Sequence, residues 1–202
     1  MKTKLVNEGA EAKIYEMRLF GKNVLVKVRR PKAYRVAALD RVIRLSRTKK
    51  EARAMLLARK NGANVPAVLA YGKYAIYMEK AEGALLRDFL NAAQQSALEN
   101  AGKELGKLHK SGISHGDFTP ANILVRGSET TIIDFGLATI ASSTEEMALD
   151  VLLMKRSLSK SQFASFVSGY SQFAGSAAVL SKLAEIEKRG RYQSRTLAVN
   201  AA

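Results

Sequence analysis

The chain has 202 residues, 47% of them hydrophobic and 25% charged, which is typical of a folded protein rather than a disordered segment. It contains no cysteine, which excludes a disulfide framework and a cysteine-ligated zinc site. Its apolar runs are too short to span a bilayer, and its polar start lacks the pattern of a signal peptide. We therefore expect a soluble cytoplasmic protein with no membrane partner.

Positive charge is concentrated in the first part of the chain. The formal net charge is +15, and residues 1–60 hold 18 of the 33 Lys and Arg but 5 of the 18 Asp and Glu. This excess predicts a basic face, which can serve solubility or bind an anionic partner. Nucleic acid is the favoured partner, and an acidic protein remains an alternative.

Residues 1–79 have the pattern of a small antiparallel sheet with one long helix. Strands are predicted at 5–6, 12–20, 24–28, 67–71 and 75–79, with tight turns at Gly21 and Gly72. Between them, helical spacing over 36–60 ends at Asn61-Gly62. The apolar stripe predicted for this helix consists of Leu39, Val42, Ile43 and Leu45, continued by Ala52, Met55 and Leu56.

Residues 80–202 read as a second, mainly helical lobe. A short helix is predicted at 85–90, and a longer one at 96–110 carries Leu98, Ala101, Leu105 and Leu108 on one face. An irregular loop, 111–121, is followed by two apolar strands at 123–125 and 131–133. Two or three helices are predicted after residue 144. The fold class expected is α+β, with the two lobes forming one catalytic unit.

Three side chains in this second lobe stand where a phosphoryl-transfer site needs them. Asp117 and Asn122 lie in the loop after a helix, and Asp134 directly follows an apolar strand. Magnesium takes oxygen ligands, and a carboxylate can orient or deprotonate the attacking hydroxyl or water. Asp117 could instead cap a turn, and Asp134 could simply follow the end of a strand. The presence of both motifs in this order favours a phosphoryl-transfer site.

The spacing of Asp117 and Asn122, followed by Asp134-Phe135-Gly136, resembles the catalytic loop and metal-binding triplet of protein kinases. The resemblance implies a two-lobed protein-kinase-like fold with ATP and magnesium as cofactors. Asp117 would be the catalytic carboxylate, and Asn122 and Asp134 would hold the metal.

The first lobe contains counterparts of the remaining kinase elements. Lys27 occupies the position of the strand lysine that contacts the nucleotide phosphates, and Glu51 would be its ion-pair partner, although Glu8 and Glu11 are alternatives. Gly9 lies where a glycine-rich loop would cover the phosphates, but it is the one glycine there. The hinge that would contact adenine corresponds to Met78, Glu79 and Ala81.

Further strings resemble one atypical kinase family, the kinase subunit of the KEOPS complex, also called the PRPK-like family. They are Gly9-Ala10-Glu11-Ala12, Arg47 through Glu51-Ala52, His115-Gly116-Asp117, Ile133 through Leu137, Asp150 and Lys188-Arg189-Gly190-Arg191. No Ala-Pro-Glu triplet follows Gly136, so the peptide-docking platform of protein kinases is expected to be absent.

This resemblance implies an ATP-binding atypical serine/threonine kinase or ATPase that supports threonylcarbamoyladenosine modification of tRNA. The implied partners are the threonylcarbamoyl-transferase subunit, other KEOPS subunits and tRNA. Lys188, Arg189 and Arg191 would contact tRNA phosphate or the nucleotide site, although a solvated terminus is the alternative.

Three neighbouring residues are expected to support this site, and two other functions remain open. His109 is assigned to packing and His115 to bracing the loop, and Asp150 is expected to accept hydrogen bonds from the catalytic-loop backbone. The first alternative function is a small-molecule kinase of the aminoglycoside or lipopolysaccharide type. The second is a non-catalytic tRNA-binding scaffold.

Overall fold

The computed structural model describes residues 3–19, 21–92 and 95–199, with side chains omitted for 91–92 and 190–199. The chain begins with a five-stranded antiparallel sheet whose strand order is β1-β2-β3-β5-β4. The strands are β1 Thr3–Glu8, β2 Ala12–Leu19, β3 Lys22–Arg29, β4 Val68–Tyr71 and β5 Ala75–Glu79. The predicted strands are therefore present, with ends displaced by a few residues.

Strand β3 brings two cations to one face of this sheet. Val24 and Val26 are buried on one face, and Lys27 and Arg29 are buried on the opposite face because successive side chains of a strand alternate. Val24 lies opposite Glu79 and Val28 opposite Ala75. Lys27 therefore lies farther than Val24 from the C-terminal end of β5 at Glu79, and Arg29 lies farther still.

The long helix α1, Ala37–Lys60, is present, but the apolar stripe predicted for its first turns is wrong. Leu39 and Val42 are 54% and 64% exposed. The buried face instead carries Asp40, Thr48 and Glu51 before it becomes apolar at Ala52. Asp40 accepts hydrogen bonds from the Lys32 N–H at 3.2 Å and from Arg44 Nε at 2.6 Å. Ion pairing rather than apolar packing therefore orients the first half of the helix.

The second part of the structure is built on helices. Its helices are α2 Gln95–Lys110, α3 Thr144–Ser157, α4 Lys160–Tyr170 and α5 Ser176–Val199, preceded by a kinked 3-10 segment, Leu86–Ala92. Its short strands are β6 Ala84–Leu85, β7 Ile113–Ser114, β8 Ile123–Arg126, β9 Glu129–Ile132 and β10 Thr139–Ile140. The sequence predicted β8 and β9 but missed the two-residue strands β6, β7 and β10.

Helices α2 and α4 pack with their backbones in close contact, and two glycines permit this approach. A Cβ added at Gly102 would lie 2.1 Å from the Phe166 carbonyl oxygen, and one at Gly169 would lie 1.8 Å from that of Glu99. The predicted apolar face of α2, with Leu98, Ala101, Leu105 and Leu108, is completely or almost completely buried. The core thus forms directly beneath the loop that carries Asp117.

Within the part of the chain that the structure describes, no helix combines the length and apolarity needed to cross a membrane.

Candidate active site

Two adjoining cavities lie between the five-stranded sheet and the helical part. One, of about 330 Å³, is lined by Met78, Glu79 and Ala81 at one end and by Lys27, Glu51, Asn122 and Asp134 at the other. The second, of about 280 Å³, is lined by the turn between β1 and β2, including Gly9, and by Asp117, Asp134 and Gly136. Lys27 and Asp134 line both cavities, so the two cavities form one continuous cleft.

Lys27 is held between two carboxylates. Its Nζ lies 2.6 Å from Glu51 Oε1 and 2.8 Å from Asp134 Oδ1. Glu51 is therefore its partner on α1, while Glu8 pairs with Lys13 and Glu11 with Arg47. Burial lowers the pKa of Lys27, but the charges of Glu51 and Asp134 outweigh burial and raise it above its ordinary value. The lysine is thus a fixed cation.

Asp134 is the half-exposed member of this cluster. Burial raises its pKa, but the charge and hydrogen bond of Lys27, together with the Gly136 N–H, bring the pKa below its ordinary value. The backbone at Asp134 has a φ of 62°, and the Gly136 N–H donates to Asp134 Oδ1 at 3.1 Å. This left-handed geometry turns the carboxylate back toward Lys27 instead of continuing the strand direction.

Asp117 and Asn122 form a closed turn. The Asn122 Nδ2 donates to both the Asp117 carbonyl and Asp117 Oδ2, each at 2.8 Å. The two bonds use the amide nitrogen and leave Asn122 Oδ1 as the oxygen that can face a cation. The Ile133 N–H donates to the Asn122 carbonyl at 2.9 Å, which couples this turn to the strand that leads to Asp134.

Asp150 on α3 fixes the chain just before Asp117, as expected from the sequence. It accepts hydrogen bonds from the His115 N–H at 2.6 Å and from the Gly116 N–H at 2.8 Å. Asp150 is fully buried, so these bonds are shielded from water.

Both histidines are buried in this region. His115 Nε2 lies 3.0 Å from the Ile133 carbonyl and its ring contacts Phe118 and Phe135, so it braces the loop as predicted. Burial lowers its pKa. The packing role assigned to His109 is incomplete, because its two ring nitrogens lie 2.8 Å from Tyr170 Oη and 3.2 Å from Asp150 Oδ2. A single sequence does not show these bonds, since the partners lie 61 and 41 residues away.

The turn that covers the second cavity is fastened to the region around α1. The Gly9 N–H donates to the Ala12 carbonyl at 3.0 Å, and Lys32 Nζ donates to the Ala10 carbonyl. The Glu11 carboxylate lies 2.6 Å from Arg47 Nη1. Arg29, 4% exposed, donates to Glu51 Oε2 at 2.6 Å. Sequence reasoning assigned no role to Arg29 or Arg47, although the alternation of β3 places Arg29 beside Lys27.

The oxygen donors of the cleft fit a magnesium ion that is shared with a phosphate. Asp134 and Asn122 line the same cavity, and carboxylate and amide oxygens are ligands that magnesium accepts. The described residues contain no group of three or more His, Asp or Glu able to hold a metal by themselves. Magnesium bound through one or two protein oxygens usually completes its shell with phosphate oxygens and water.

The predicted basic tail lies on α5. Lys188 and Arg189 are exposed, and Arg189 Nη2 lies 3.6 Å from Glu145 Oε1 of α3. The Arg191 side chain lies outside the described side chains.

This arrangement defines a protein of the kinase-like class, and comparison of the folds agrees. The chain matches WaaP in complex with acyl carrier protein with a TM-score of 0.65 at 14% identity, covering 93% of this chain and 88% of the other. It matches the Rio2 kinase-ADP/Mg2+-phosphoaspartate complex of Chaetomium thermophilum with a TM-score of 0.63 at 19% identity, covering 95% and 72%. The predicted α+β, protein-kinase-like fold is therefore confirmed.

Sequence comparison then gives the family. The chain belongs to the RIO domain family, whose model matches residues 12–164, and its relatives include homologues of Bud32. It is 39% identical to the probable serine/threonine-protein kinase BUD32 homolog of Archaeoglobus fulgidus, over 92% of this chain and 94% of the relative. It is 34% identical to the KEOPS complex subunit Bud32 of Pyrococcus abyssi, over 96% and 98%.

Longer relatives also contain this unit. The probable bifunctional tRNA threonylcarbamoyladenosine biosynthesis protein of Methanothermobacter thermautotrophicus is 34% identical over 93% of this chain, which spans 36% of that protein. The resemblance to the KEOPS kinase subunit, seen first in the sequence motifs, is thus confirmed.

Proposed function

We propose that the chain is the ATP-binding kinase or ATPase subunit of a KEOPS-type assembly that supports threonylcarbamoyladenosine modification of tRNA. The observation that carries this proposal is the convergence of Lys27, Glu51 and Asp134 on a cleft also lined by Asp117 and Asn122. The names of the Archaeoglobus, Pyrococcus and Methanothermobacter relatives support the assembly and its RNA substrate.

In this proposal the larger cavity holds the nucleoside of ATP. Leu25, Leu85, Leu124 and Ile133 offer apolar contacts to a planar base, and Met78, Glu79 and Ala81 border it at the hinge. The Glu79 N–H is already bound to the Ala67 carbonyl at 2.9 Å. The base would therefore be read by other backbone groups of Glu79 and Ala81. Residues 1–79 and 80–202 would act as two lobes on either side of the nucleotide.

The phosphates would then lie along Lys27 beneath the turn at Gly9. Asn122 and Asp134 would hold magnesium, which supplies charge neutralisation of the phosphate oxygens. Asp117 Oδ1 or Oδ2 would accept the proton of the attacking water or serine/threonine hydroxyl. The bond from Asn122 Nδ2 to Asp117 Oδ2 keeps this carboxylate aimed into the cleft, and Gly136 leaves room beside Asp134.

The basic surface of α1 supports RNA as a partner. Lys49, Arg53 and Lys60 are exposed and recur at helical spacing on one side of the helix. Such cations attract phosphate and release counterions on binding, so RNA affinity should fall steeply with salt. Lys188, Arg189 and Arg191 on α5 would add to RNA or nucleotide contact. The threonylcarbamoyl-transferase subunit and other KEOPS subunits would be the protein partners.

The test is nucleotide turnover by the purified chain, alone and with its partner subunits and tRNA. We expect Asp134→Ala to abolish magnesium-dependent phosphate release, whereas Glu99→Ala, which removes a partly exposed carboxylate paired with Lys103 on α2, should leave it unchanged. Unchanged turnover in Asp134→Ala would contradict catalysis at this cleft. If assemblies with Lys27→Ala or Asp117→Ala still modify tRNA, the non-catalytic scaffold function is favoured instead. Phosphorylation of small acceptors by labelled ATP would favour a small-molecule kinase.

A further inference from the structure

Three arginines surround the carboxylate of Glu11 at the far end of the cleft. Glu11 Oε2 lies 2.6 Å from Arg47 Nη1 and 4.0 Å from Arg29 Nη1, and Glu11 Oε1 lies 3.7 Å from Arg35 Nη2. Arg35 and Arg29 also face the carboxylates of Asp40 and Glu51. Arg47 has no other carboxylate partner among the described residues. A single side chain from the covering turn thus serves as the counter-ion of Arg47.

The arginine cluster is built into the cleft rather than onto an open surface. Arg29 and Arg47 line the same cavity of about 280 Å³ as Lys27, Asp117 and Asp134. Arg29 is 4% exposed, and its buried Nε has no hydrogen-bond partner. A buried donor without an acceptor is costly, so an anion or an ordered water that reached this nitrogen would be stabilised.

Glu11 is a weaker occupant of this cluster than a phosphate would be. Its side chain is 46% exposed, and ion pairs of this exposure contribute little to stability. A carboxylate carries one negative charge, whereas a terminal phosphate carries more charge and offers three oxygens to guanidinium donors. Partial burial raises the pKa of Glu11, but Arg47, Arg35 and Lys32 bring it below its ordinary value, so the carboxylate is ionised.

The direction of strand β3 indicates which phosphate reaches the cluster. Val24 lies opposite Glu79 at the hinge, Lys27 is three residues farther along the strand, and Arg29 is farther still. A nucleotide that places its base at the hinge and its inner phosphates at Lys27 therefore directs its terminal phosphate toward Arg29 and Arg47.

We propose that Arg47, with Arg29, is the binding site for the terminal phosphate of a nucleoside triphosphate, and that Glu11 occupies this site until the phosphate displaces it. The inference rests on the proposed function, because it requires a nucleotide in the cleft. Before a nucleotide binds, the Glu11 carboxylate takes the place of the phosphate. Arg47 is then the residue that distinguishes a triphosphate from a diphosphate. Displacement of Glu11 also frees one of the two fastenings of the covering turn; the other is the bond from Lys32 to the Ala10 carbonyl.

Opposite effects of two substitutions test this site. Calorimetry on the full chain measures the affinity for the magnesium complexes of ADP and of an ATP analogue with an imido bridge between its outer phosphates. Arg47→Gln should lower the affinity for the ATP analogue about tenfold, because a charge-assisted hydrogen bond is lost, and should leave the affinity for ADP unchanged. Glu11→Gln should raise the affinity for the ATP analogue severalfold, because the competing anion is removed. In the double variant the Glu11→Gln gain should disappear.

Matched controls are Glu99→Gln on α2, which pairs with Lys103, and Arg156→Gln on α3, which make the same charge changes away from the cleft. If Glu11→Gln and Arg47→Gln shift both nucleotides in the same direction, the pair is a structural fastening and the inference is wrong, while the proposed function stands. If Arg47→Gln spares both nucleotides but weakens tRNA binding, the cluster receives an RNA phosphate and the nucleotide assignment is overturned. A wild-type chain that binds neither nucleotide would overturn the inference and the proposed function together.

Discussion

The loop around Asp117, called here the catalytic-loop side of the cleft, and the turn around Glu11, called here the cover, are held in place by different forces. Around Asp117 the chain is fixed by buried hydrogen bonds to Asp150 and by the packed ring of His115. Around Glu11 the chain is fixed by charged contacts that are partly open to water. Buried hydrogen bonds keep one geometry, whereas exposed ion pairs exchange readily with solvent and ligands. The chain around Asp117 is therefore the more rigid of the two, and the turn around Glu11 is the more adaptable.

Removing the buried acceptor should have the largest effect. In Asp150→Ala the N–H groups of His115 and Gly116 and a ring nitrogen of His109 lose their acceptor in a dry interior. We expect the free energy of unfolding in urea to fall by about 4 kcal/mol. The control Asp88→Ala breaks an exposed pair with Arg87 and should cost less than about 1 kcal/mol. Equal losses in the two variants would show that the catalytic-loop side is no more rigidly held than the surface.

Two glycine substitutions separate crowding from backbone strain on the same side. Gly116 has a φ of 80°, and an added Cβ would lie 2.4 Å from the Leu137 carbonyl oxygen. Gly127 has a φ of 59° and open space around its added Cβ. Gly127→Ala should cost about 1 kcal/mol, from the left-handed backbone alone, and Gly116→Ala about 3 kcal/mol. Similar costs by urea denaturation would mean that the loop near Asp117 yields to a methyl group.

Residues close together in sequence gave the predictions that the structure supports best. The interval from Asp117 to Asn122 and the triplet at Asp134 are local patterns, and the turn and strand that carry them form where expected. The five strands of the first sheet follow from alternation and from turns at glycine. These features depend on backbone propensities that operate over a few residues.

Contacts between distant residues are what the sequence left undetermined. Arg29 could be placed on the face of Lys27, but its bond to Glu51 depends on how α1 lies across the sheet. Leu39 and Val42 were expected to be buried because of helical spacing, yet none of the described elements packs over them closely enough to exclude water. Two-residue strands such as β7 arise from tertiary pairing with β10, which carries almost no local signal.

The loss of stability on breaking the Lys27–Glu51–Arg29 cluster should depend on which of its members is replaced. Glu51→Gln weakens the pairing of two buried cations, Lys27 and Arg29, and we expect it to cost about 2 kcal/mol in the free protein. Lys27→Met leaves Glu51 paired with Arg29 and should cost about 1 kcal/mol. Thermal and urea unfolding of both variants without nucleotide measure this order. A larger loss in Lys27→Met would mean that Arg29 does not share the carboxylate.

Acid titration should separate the two sides by pH, with the smallest effect of the four. Burial places the pKa of His115 below its ordinary value of 6.5, so the unfolded chain takes up this proton first and stability falls as the pH drops below 6.5. The pKa values of Glu11 and Asp134 in the folded chain are below their ordinary values of 4.5 and 3.8. The stability that these two carboxylates contribute is therefore lost at lower pH, as the pH falls from the ordinary pKa values through the folded-state pKa values. Between pH 6.5 and 5.5 we expect a loss of about 1 kcal/mol in the free energy of unfolding.

This first step should be absent in His115→Gln and retained in Glu11→Gln, measured by urea denaturation at each pH. If His115→Gln does not fold, titration of the His115 ring by NMR in the wild-type chain gives the same answer. A ring that protonates at or above pH 6.5 and whose N–H exchanges rapidly with solvent would show that water reaches the catalytic loop. The contrast between a dry, hydrogen-bonded loop and a wet, ion-paired cover would then fail at its central residue.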